Sequence, residues 1–240
     1  MIVEVCSSSL EGIKNASKAG ADRIELCSAL ELGGVTPSRG FIEAAVGLTT
    51  LDIHCLIRPR AGHFTYSEDE SKIIEKDIIA AAEIGCKGVV LGALTTEFTL
   101  DTKRLKHWKK LADTMYLTFH RAMDVVVDPK TVIKQLIDLG FNCILSSGQE
   151  EKAMDGLHNL NEWREDFGKD ILIMPGSGIN KTNCEVFKAS GFSALHLSGS
   201  KPQSLIPIPT GVNNTISFLH QPLSVSDRQT IHEVVLKVKS

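Results

Sequence analysis

The sequence lacks the features of several broad classes of protein. No apolar run is long enough to span a bilayer, and the first residues carry neither the basic nor the apolar segment of a signal peptide. Positive charge is not in excess either, since the formal net charge is -3. Nucleic acids and anionic membranes attract proteins with an excess of positive charge. We therefore expect no nucleic-acid partner and no membrane partner.

The cysteines lack the spacing of a disulfide-rich or zinc-binding protein. The six stand far apart, at positions 6, 27, 55, 86, 143 and 184, and no CxxC pair occurs. Most of them lie within strand-like runs, which is typical of buried or metal-binding thiols in a reducing compartment. We therefore expect a cytoplasmic protein without a disulfide framework.

A glycine-rich phosphate-binding turn is missing after the first predicted strand. The segment Cys6-Ser7-Ser8-Ser9 stands where a doubly wound nucleotide-binding sheet would carry its glycine fingerprint. The sequence therefore predicts no nucleotide cofactor. The same observation counts against an open doubly wound sheet, which is the alternative to the fold that follows.

The sequence does contain one structural unit repeated four times. In each copy a helix end is followed by a glycine, a short link and a strand; the glycines are residues 20, 85, 140 and 191, and the strands 23–27, 88–91, 143–146 and 194–198. The glycines are 65, 55 and 51 residues apart, which leaves room for two βα units in each interval. Further strands are predicted at 2–6, 52–58, 115–120 and 171–174. Eight strands, each followed by a helix, predict a single α/β domain over residues 1–240, a closed (β/α)8 TIM barrel.

The C-terminal part of the sequence is less regular. Residues 201–223 are rich in Pro, Ser and Asn and predict a long irregular loop. A closing helix is predicted over about 226–238, with Ser226 as its cap and Ile231, Val234, Val235 and Val238 on its buried face.

Several predicted strands carry reactive side chains on one alternating face. Glu25 and Cys27 alternate with apolar residues, and the first strand repeats the same Glu-x-Cys ending with Glu4 and Cys6. If these strands are neighbours, the two glutamates share one interior, with the two cysteines one layer above. The same alternation turns His54, His120 and His196 inward. One buried histidine is more often a core residue than a catalyst, but three of them beside paired Glu and Cys indicate a site at the carboxyl ends of the strands.

The loops at these strand ends add arginines and glycine-rich turns. Arg58, in Arg58-Pro59-Arg60, either binds an anionic ligand or neutralises Glu25. The segment His120-Arg121-Ala122-Met123-Asp124 gives either an acid–base cluster or an ion pair that only orders the loop. Turns around Gly176, Gly178 and Gly199 are equally consistent with phosphate binding and with ordinary tight connections.

The residues at these strand ends resemble the CutC family, the copper homeostasis proteins. The resemblance runs through Glu4-Val5-Cys6, Gly20-Ala21-Asp22-Arg23-Ile24-Glu25-Leu26-Cys27, Gly33-Gly34-Val35-Thr36-Pro37-Ser38, Ile57-Arg58-Pro59-Arg60, Phe119-His120-Arg121-Ala122-Met123-Asp124, Met174-Pro175-Gly176-Ser177-Gly178-Ile179 and His196-Leu197-Ser198. It implies a TIM barrel, a cytoplasmic location, a homo-oligomer and Cu(I) binding. The sequence departs from the family pattern at Ala61-Gly62-His63-Phe64, where Gly-Gly-Asp-Phe is usual, and at Ser146-Ser147-Gly148, where Thr-Ser-Gly is usual.

Two hypotheses about function follow from these observations. In the first, the protein is a copper homeostasis factor that holds Cu(I) between Cys6 and Cys27, because soft thiolates favour this ion. In the second, it is an enzyme that acts on a small metabolite, with phosphorylated metabolites among the candidates. The catalytic candidates are then Glu4, Glu25, His54, His120, Asp124 and His196. The ligand-binding candidates are Arg23, Arg58, Arg60, Arg121, Gly176, Gly178, Ser198 and Gly199.

Overall fold

The computed structural model describes residues 1–203, 206–221 and 223–240, with the backbone alone at residue 218. Within these residues a parallel sheet of eight strands is surrounded by helices. The strands are β1 (Ile2–Ser7), β2 (Arg23–Leu26), β3 (Asp52–Leu56), β4 (Gly88–Leu91), β5 (Tyr116–Phe119), β6 (Cys143–Ser146), β7 (Leu172–Pro175) and β8 (Ala194–Leu197). The helices are α1 (Leu10–Ala19), α2 (Arg39–Leu48), α3 (Glu68–Ile84), α4 (Thr102–Ala112), α5 (Pro129–Leu139), α6 (Leu157–Phe167), α7 (Cys184–Ala189) and α8 (Arg228–Lys239).

The strands follow one another around a nearly closed barrel. The order in the sheet is β7-β6-β5-β4-β3-β2-β1-β8, so the first strand pairs with the last. β7 and β8 lie side by side, without a hydrogen-bonded ladder between the residues described. The predicted (β/α)8 TIM barrel is therefore confirmed, with its seam between β7 and β8. None of the helices described is long and apolar enough to cross a bilayer.

The repeated glycines stand where helices turn into strands. Gly20, Gly85, Gly140 and Gly191 all have φ between 74° and 100°. This left-handed conformation costs little for glycine and is strained for other residues, so each glycine stops a helix and redirects the chain to the next strand. The repeat in the sequence is thus a repeat of helix-ending turns.

Most of the core lies between the barrel and its helices. Ile24 and Leu26 of β2 point outward and are fully buried against the helices. The predicted helix faces are buried as well: Ile74, Ile78 and Ala81 on α3, and Val132, Ile133 and Leu136 on α5, with Ile137 half-buried. The interior of the barrel is therefore free to hold the polar side chains that alternate with these residues.

Four of the eight strands, β2, β3, β5 and β8, end earlier than the sequence predicts. β2 ends at Leu26 and not at Cys27, β3 ends at Leu56 and not at Arg58, and β8 ends at Leu197 and not at Ser198. The Arg58 amide, for example, donates to the Thr36 hydroxyl at 2.8 Å instead of extending the sheet. The reactive residues at the strand ends consequently lie on loops at the barrel mouth.

The C-terminal tail closes the barrel on the side of β1. Ser200–Pro202 and Ser224–Ser226 pair as a short antiparallel ribbon, and α8 follows. The cap of α8 is Asp227, which accepts from the Thr230 amide at 2.9 Å, so the prediction of Ser226 as cap is wrong. Ser226 is buried instead, and its hydroxyl donates to the Cys6 carbonyl at 3.3 Å. Within the predicted loop 201–223, residues 204, 205 and 222 lie outside the described residues.

Candidate functional site

A cavity of about 310 Å³ opens at the carboxyl ends of the strands. Its wall combines apolar side chains from several strands and loops with polar groups that converge from the barrel interior. Cavities of this size hold small ligands, and this end of a TIM barrel is where active sites occur. The predicted site residues that line it are Cys6, Glu25, Arg58, His120, Arg121, Gly178, His196 and Ser198.

The register of β1 against β2 differs from the one the sequence suggests. Glu4 lies opposite Arg23, and Cys6 lies opposite Glu25, so the two Glu-x-Cys endings are staggered. Staggering of neighbouring strands is required to close a barrel, and it places Glu4 below Glu25. Both glutamates face one interior, as expected, but Cys6 lies level with Glu25 and not one layer above both glutamates.

The thiols of Cys6 and Cys27 are nevertheless in contact. The Sγ atoms of Cys6 and Cys27 are 3.4 Å apart, and both side chains are buried beside Leu56 and Val90. The hydrogen bond with Cys27 and burial raise the pKa of the Cys6 thiol well above its ordinary value, and the charge of Glu25 adds to the effect. Cys6 is therefore a protonated thiol in the free protein, and a metal ion must displace its proton in order to bind.

His196 connects two buried carboxylates beside the thiols. Its Nδ1 lies 2.7 Å from Glu4 Oε1, and its Nε2 lies 3.4 Å from Glu25 Oε2. The second oxygen of Glu4 accepts from Arg23 Nε at 2.5 Å. These contacts form a continuous charged network, Arg23–Glu4–His196–Glu25, which leads from the barrel interior to the mouth.

The network shifts the pKa values of its members in different directions. Burial alone would raise the pKa of Glu4, but the bond from His196 and the charge of Arg23 outweigh it and lower the pKa to about 2. Burial would lower the pKa of His196, yet Glu25 and Glu4 raise it. Burial also raises the pKa of Glu25, which makes this carboxyl a ready proton acceptor and donor at the cavity wall.

Three ligand atoms at the mouth are close enough to share a metal ion. The sulfur of Cys6, a carboxylate oxygen of Glu25 and a ring nitrogen of His196 all lie within 4.8 Å of one another. Glu4 holds the other ring nitrogen of His196, as carboxylates commonly do for metal-binding histidines. From the sequence, His196 is predicted only as a catalytic candidate. Its place beside Cys6 and Glu25 could not be predicted, because β1 and β8 are neighbours only once the barrel closes.

His54 and Arg23 lie deeper in the barrel than the cavity lining. His54 is packed at 5.0 Å from the Tyr116 ring, and burial lowers the pKa of its imidazole to about 4. Arg23 Nη2 lies 3.5 Å from Met174 Sδ, while its Nε is bound to Glu4. Both residues point inward as predicted. Their contacts are with other residues of the lower barrel interior, and neither residue lines the cavity at the mouth.

Arg58 and Arg60, on the loop that follows β3, have different surroundings. Arg58 reaches the cavity, and its Nη atoms donate to the carbonyls of Leu32, Gly34 and Gly62 at 2.8–3.1 Å. It does not pair with Glu25. Arg60 faces away from the cavity, where it binds Glu70 and the backbone of its own loop. His63, which replaces the acid of the family pattern, is exposed on that loop.

The segment after β5 is organised around Asp124. This carboxylate accepts from Arg121 Nε at 2.7 Å and from the amides of Ser147 and Gln149 at 2.9 and 3.2 Å. His120 instead accepts from the Ala122 amide through Nδ1. The contacts are those of an ion pair that orders the loop, which is one of the two alternatives that the sequence left open.

The glycine turns at the mouth have clear packing reasons. A methyl group at Gly176 would lie 2.5 Å from Leu145 Cδ1 and 3.3 Å from His196 Cβ, so a glycine here lets β7 approach β8. Gly199 is packed under Ile231 in the same way. Gly178 has φ of 74° and lines the cavity. Ser198 is hydrogen-bonded to Ser200 at 3.0 Å, also at the cavity wall.

Comparison with known proteins places this chain in one family. The CutC family model matches residues 1–201. A family protein CutC of Glaesserella parasuis serovar 5 is 38% identical over 237 residues, which cover 98% of each chain. One of Vibrio cholerae serotype O1 is 41% identical over 209 residues, or 85% of this chain and 82% of the relative.

Solved structures give the same relationship. The crystal structure of the putative copper homeostasis protein CutC from Streptococcus agalactiae superposes with a TM-score of 0.79 at 32% identity, and the match covers 82% of this chain and 98% of that one. Thiamine phosphate pyrophosphorylase from Pyrococcus furiosus superposes with a TM-score of 0.60 over 99% of this chain and 95% of that one. At 14% identity, this second likeness shows the barrel fold alone.

Proposed function

The chain belongs to the CutC family, and from this premise we propose that it is a cytoplasmic copper homeostasis protein that binds Cu(I) between Cys6 and Cys27. The observation that carries the proposal is the 3.4 Å separation of the two buried sulfurs at the edge of the mouth. Cysteine pairs of this kind offer two soft donors to one ion. Of the other buried donors nearby, the Glu25 carboxylate prefers harder ions, and the His196 imidazole binds copper but is a less soft donor than a thiolate.

The geometry of the thiol pair suits a small shared ion. Thiolate sulfurs lie about 2.3 Å from a metal such as zinc, so two sulfurs up to roughly 4.6 Å apart can bind the same ion. The present separation is inside this limit, and small side-chain rotations can widen it. His196 Nε2, oriented by Glu4, becomes a third donor once the ring has lost the proton that Glu4 and Glu25 stabilise. A site with two thiolates and one imidazole favours Cu(I) over the harder divalent ions of the cell.

Copper binding at this site must release protons. Cys6 is protonated in the free protein because Cys27, burial and Glu25 raise its pKa. Glu25 is close enough to receive a proton, and the raised pKa of its own carboxyl favours this transfer. We therefore expect the apparent Cu(I) affinity to increase with pH, as it does when a metal competes with protons for its ligands.

An anaerobic competition titration with a Cu(I) chelator tests the proposal. Wild type, Cys6→Ser, Cys27→Ser and the double variant are compared, with Cys184→Ser as a control that removes a buried thiol from α7. The expected result is one tight site in wild type and in the control, its loss in each single variant, and no further loss in the double variant. An unchanged stoichiometry and affinity in the double variant would reject copper binding at this pair.

A second candidate function rests on His196 and its two carboxylates. An imidazole held by Glu4 and facing Glu25 across 3.4 Å is an arrangement for moving protons, and Glu25 and His196 both line a cavity of small-molecule size. If copper binding does not depend on the cysteines, an enzyme that acts on a small metabolite becomes the leading interpretation. Glu25 and His196 would then be the acid–base pair.

A further inference from the structure

Arg58 is a buried cation without a carboxylate partner among the residues that the structure describes. Only 6% of its surface is exposed. Its Nη atoms are used by the carbonyls of Leu32, Gly34 and Gly62, which are neutral. Its Nε–H group has no acceptor in the described part of the chain. A buried charge of this kind is costly unless an anion compensates it.

His120 presents a second unused donor on the same cavity. The Ala122 amide donates to its Nδ1 at 3.2 Å, so this nitrogen carries a lone pair. Burial and the nearby charge of Arg58 lower the pKa of the imidazole to about 3, so the ring is neutral near pH 7. A neutral imidazole with a lone pair on Nδ1 carries its proton on Nε2. This Nε2–H group is buried and has no acceptor among the described residues.

Phe64 brings the two donors into one environment. Its ring centroid lies 4.6 Å from that of His120 and 5.1 Å from the Arg58 guanidinium carbon. All three residues line the 310 Å³ cavity, whose apolar wall is completed by Leu56, Leu145, Ile179 and Leu197. One side of the cavity thus combines two N–H donors with an apolar surface.

We propose that this cavity binds a small organic monocarboxylate, whose two oxygens accept from Arg58 Nε–H and His120 Nε2–H. The apolar part of the ligand packs against the surrounding leucine and isoleucine side chains. The Phe64 ring packs against both side chains in the free protein, and we expect it to turn aside when the ligand enters. The site lies in the cavity that Cys6 also lines, but it does not depend on copper binding.

The charge of the cavity favours a monocarboxylate over a phosphate. Arg58 supplies the one uncompensated positive charge of this wall, because the neutral His120 adds none, Arg121 is paired with Asp124, and His196 lies between the carboxylates of Glu4 and Glu25. Glu25 lies on the same cavity wall and repels a second negative charge. A monoanion with two acceptor oxygens therefore matches the single cation and the two donors better than a phosphate dianion does.

An NMR titration of the metal-free full-length protein tests this assignment. The probes are acetate, butyrate and phenylacetate, with phenylacetamide as the uncharged control and inorganic phosphate as the competing anion. The His120 side-chain Nε2–H signal reports binding directly in wild type, and backbone amide shifts of the cavity residues report it in wild type and in the variants alike. His120→Asn keeps an acceptor for the Ala122 amide and loses the distant donor, while His107→Asn changes an exposed histidine on α4.

We expect the carboxylates to shift the His120 signal, and phenylacetamide to leave it unchanged. Loss of one hydrogen bond to a charged oxygen should weaken carboxylate binding by about tenfold or more in His120→Asn, and not in His107→Asn. The proposal is overturned if no carboxylate shifts the signal, if phosphate binds more tightly than every carboxylate, or if His120→Asn binds them like wild type. Each outcome is independent of the copper titration.

Discussion

At the scale of single residues, two buried histidines, His54 and His120, make the protein less stable as the pH falls. His54 and His120 are both held neutral, because burial lowers the pKa of the first to about 4 and of the second to about 3. The unfolded chain binds protons near pH 6.5, so it holds more protons than the folded protein below that pH. The contribution of these groups to stability is therefore complete above their unfolded pKa and decreases as the pH falls.

His120→Asn is expected to reduce this pH dependence. His120 alone should cost the wild type about 2 kcal/mol of unfolding free energy between pH 7 and pH 5, and the variant should lack that loss. Urea denaturation at both pH values measures the difference, with His107→Asn as the exposed control. Identical pH dependence in wild type and His120→Asn would show that His120 is not a buried neutral imidazole.

The residues that face the barrel interior could be predicted from the sequence, but their hydrogen-bond partners could not. Period-two alternation correctly turned Glu25, His54 and His196 toward the interior, because one face of every strand must meet the helices. It did not reveal that Arg58 binds three carbonyls, since these belong to loops whose paths no local pattern encodes. The partnership of Glu4 with His196 was also invisible, because it depends on strand register across the closing pair.

At the scale of elements, the glycine turns control how closely neighbouring strands approach. Gly176→Ala is expected to destabilise the protein by about 1–3 kcal/mol, because the new methyl group overlaps Leu145 and presses on His196. Chemical denaturation measures the change. Gly47→Ala is the matched control, since nothing lies within 4 Å of its added methyl group on α2, and it should be neutral or stabilising by up to about 1 kcal/mol. Equal effects of the two substitutions would refute the packing role of Gly176.

Helix ends were the part of the fold that the sequence predicted best. A glycine with positive φ and a capping side chain are local requirements, so they are visible in the sequence at Gly20, Gly85 and Gly140. The cap of α8 shows the limit of this approach. Ser226 and Asp227 are both good caps, and the choice of Asp227 follows from the pairing of Ser226 in the final ribbon and its burial against β1.

At the scale of the whole molecule, barrel closure assembles the site. Pairing of β1 with β8 brings Glu4 to His196, which is 192 residues away in the sequence. The number and order of strands could be predicted, because each βα unit is locally encoded. The stagger of the strands could not, because closure of the complete sheet sets it. The homo-oligomer implied by the family resemblance stays a prediction.

The central claim is that Cys6 and Cys27 together hold one Cu(I) ion. Cu K-edge X-ray absorption of protein loaded anaerobically with one equivalent of Cu(I) measures the neighbours of the ion directly. The account predicts two sulfur neighbours in wild type, with a nitrogen from His196 as the third, and loss of one sulfur neighbour in Cys27→Ser. Only nitrogen and oxygen neighbours in wild type, or an unchanged count of two sulfur neighbours in Cys27→Ser, would contradict it.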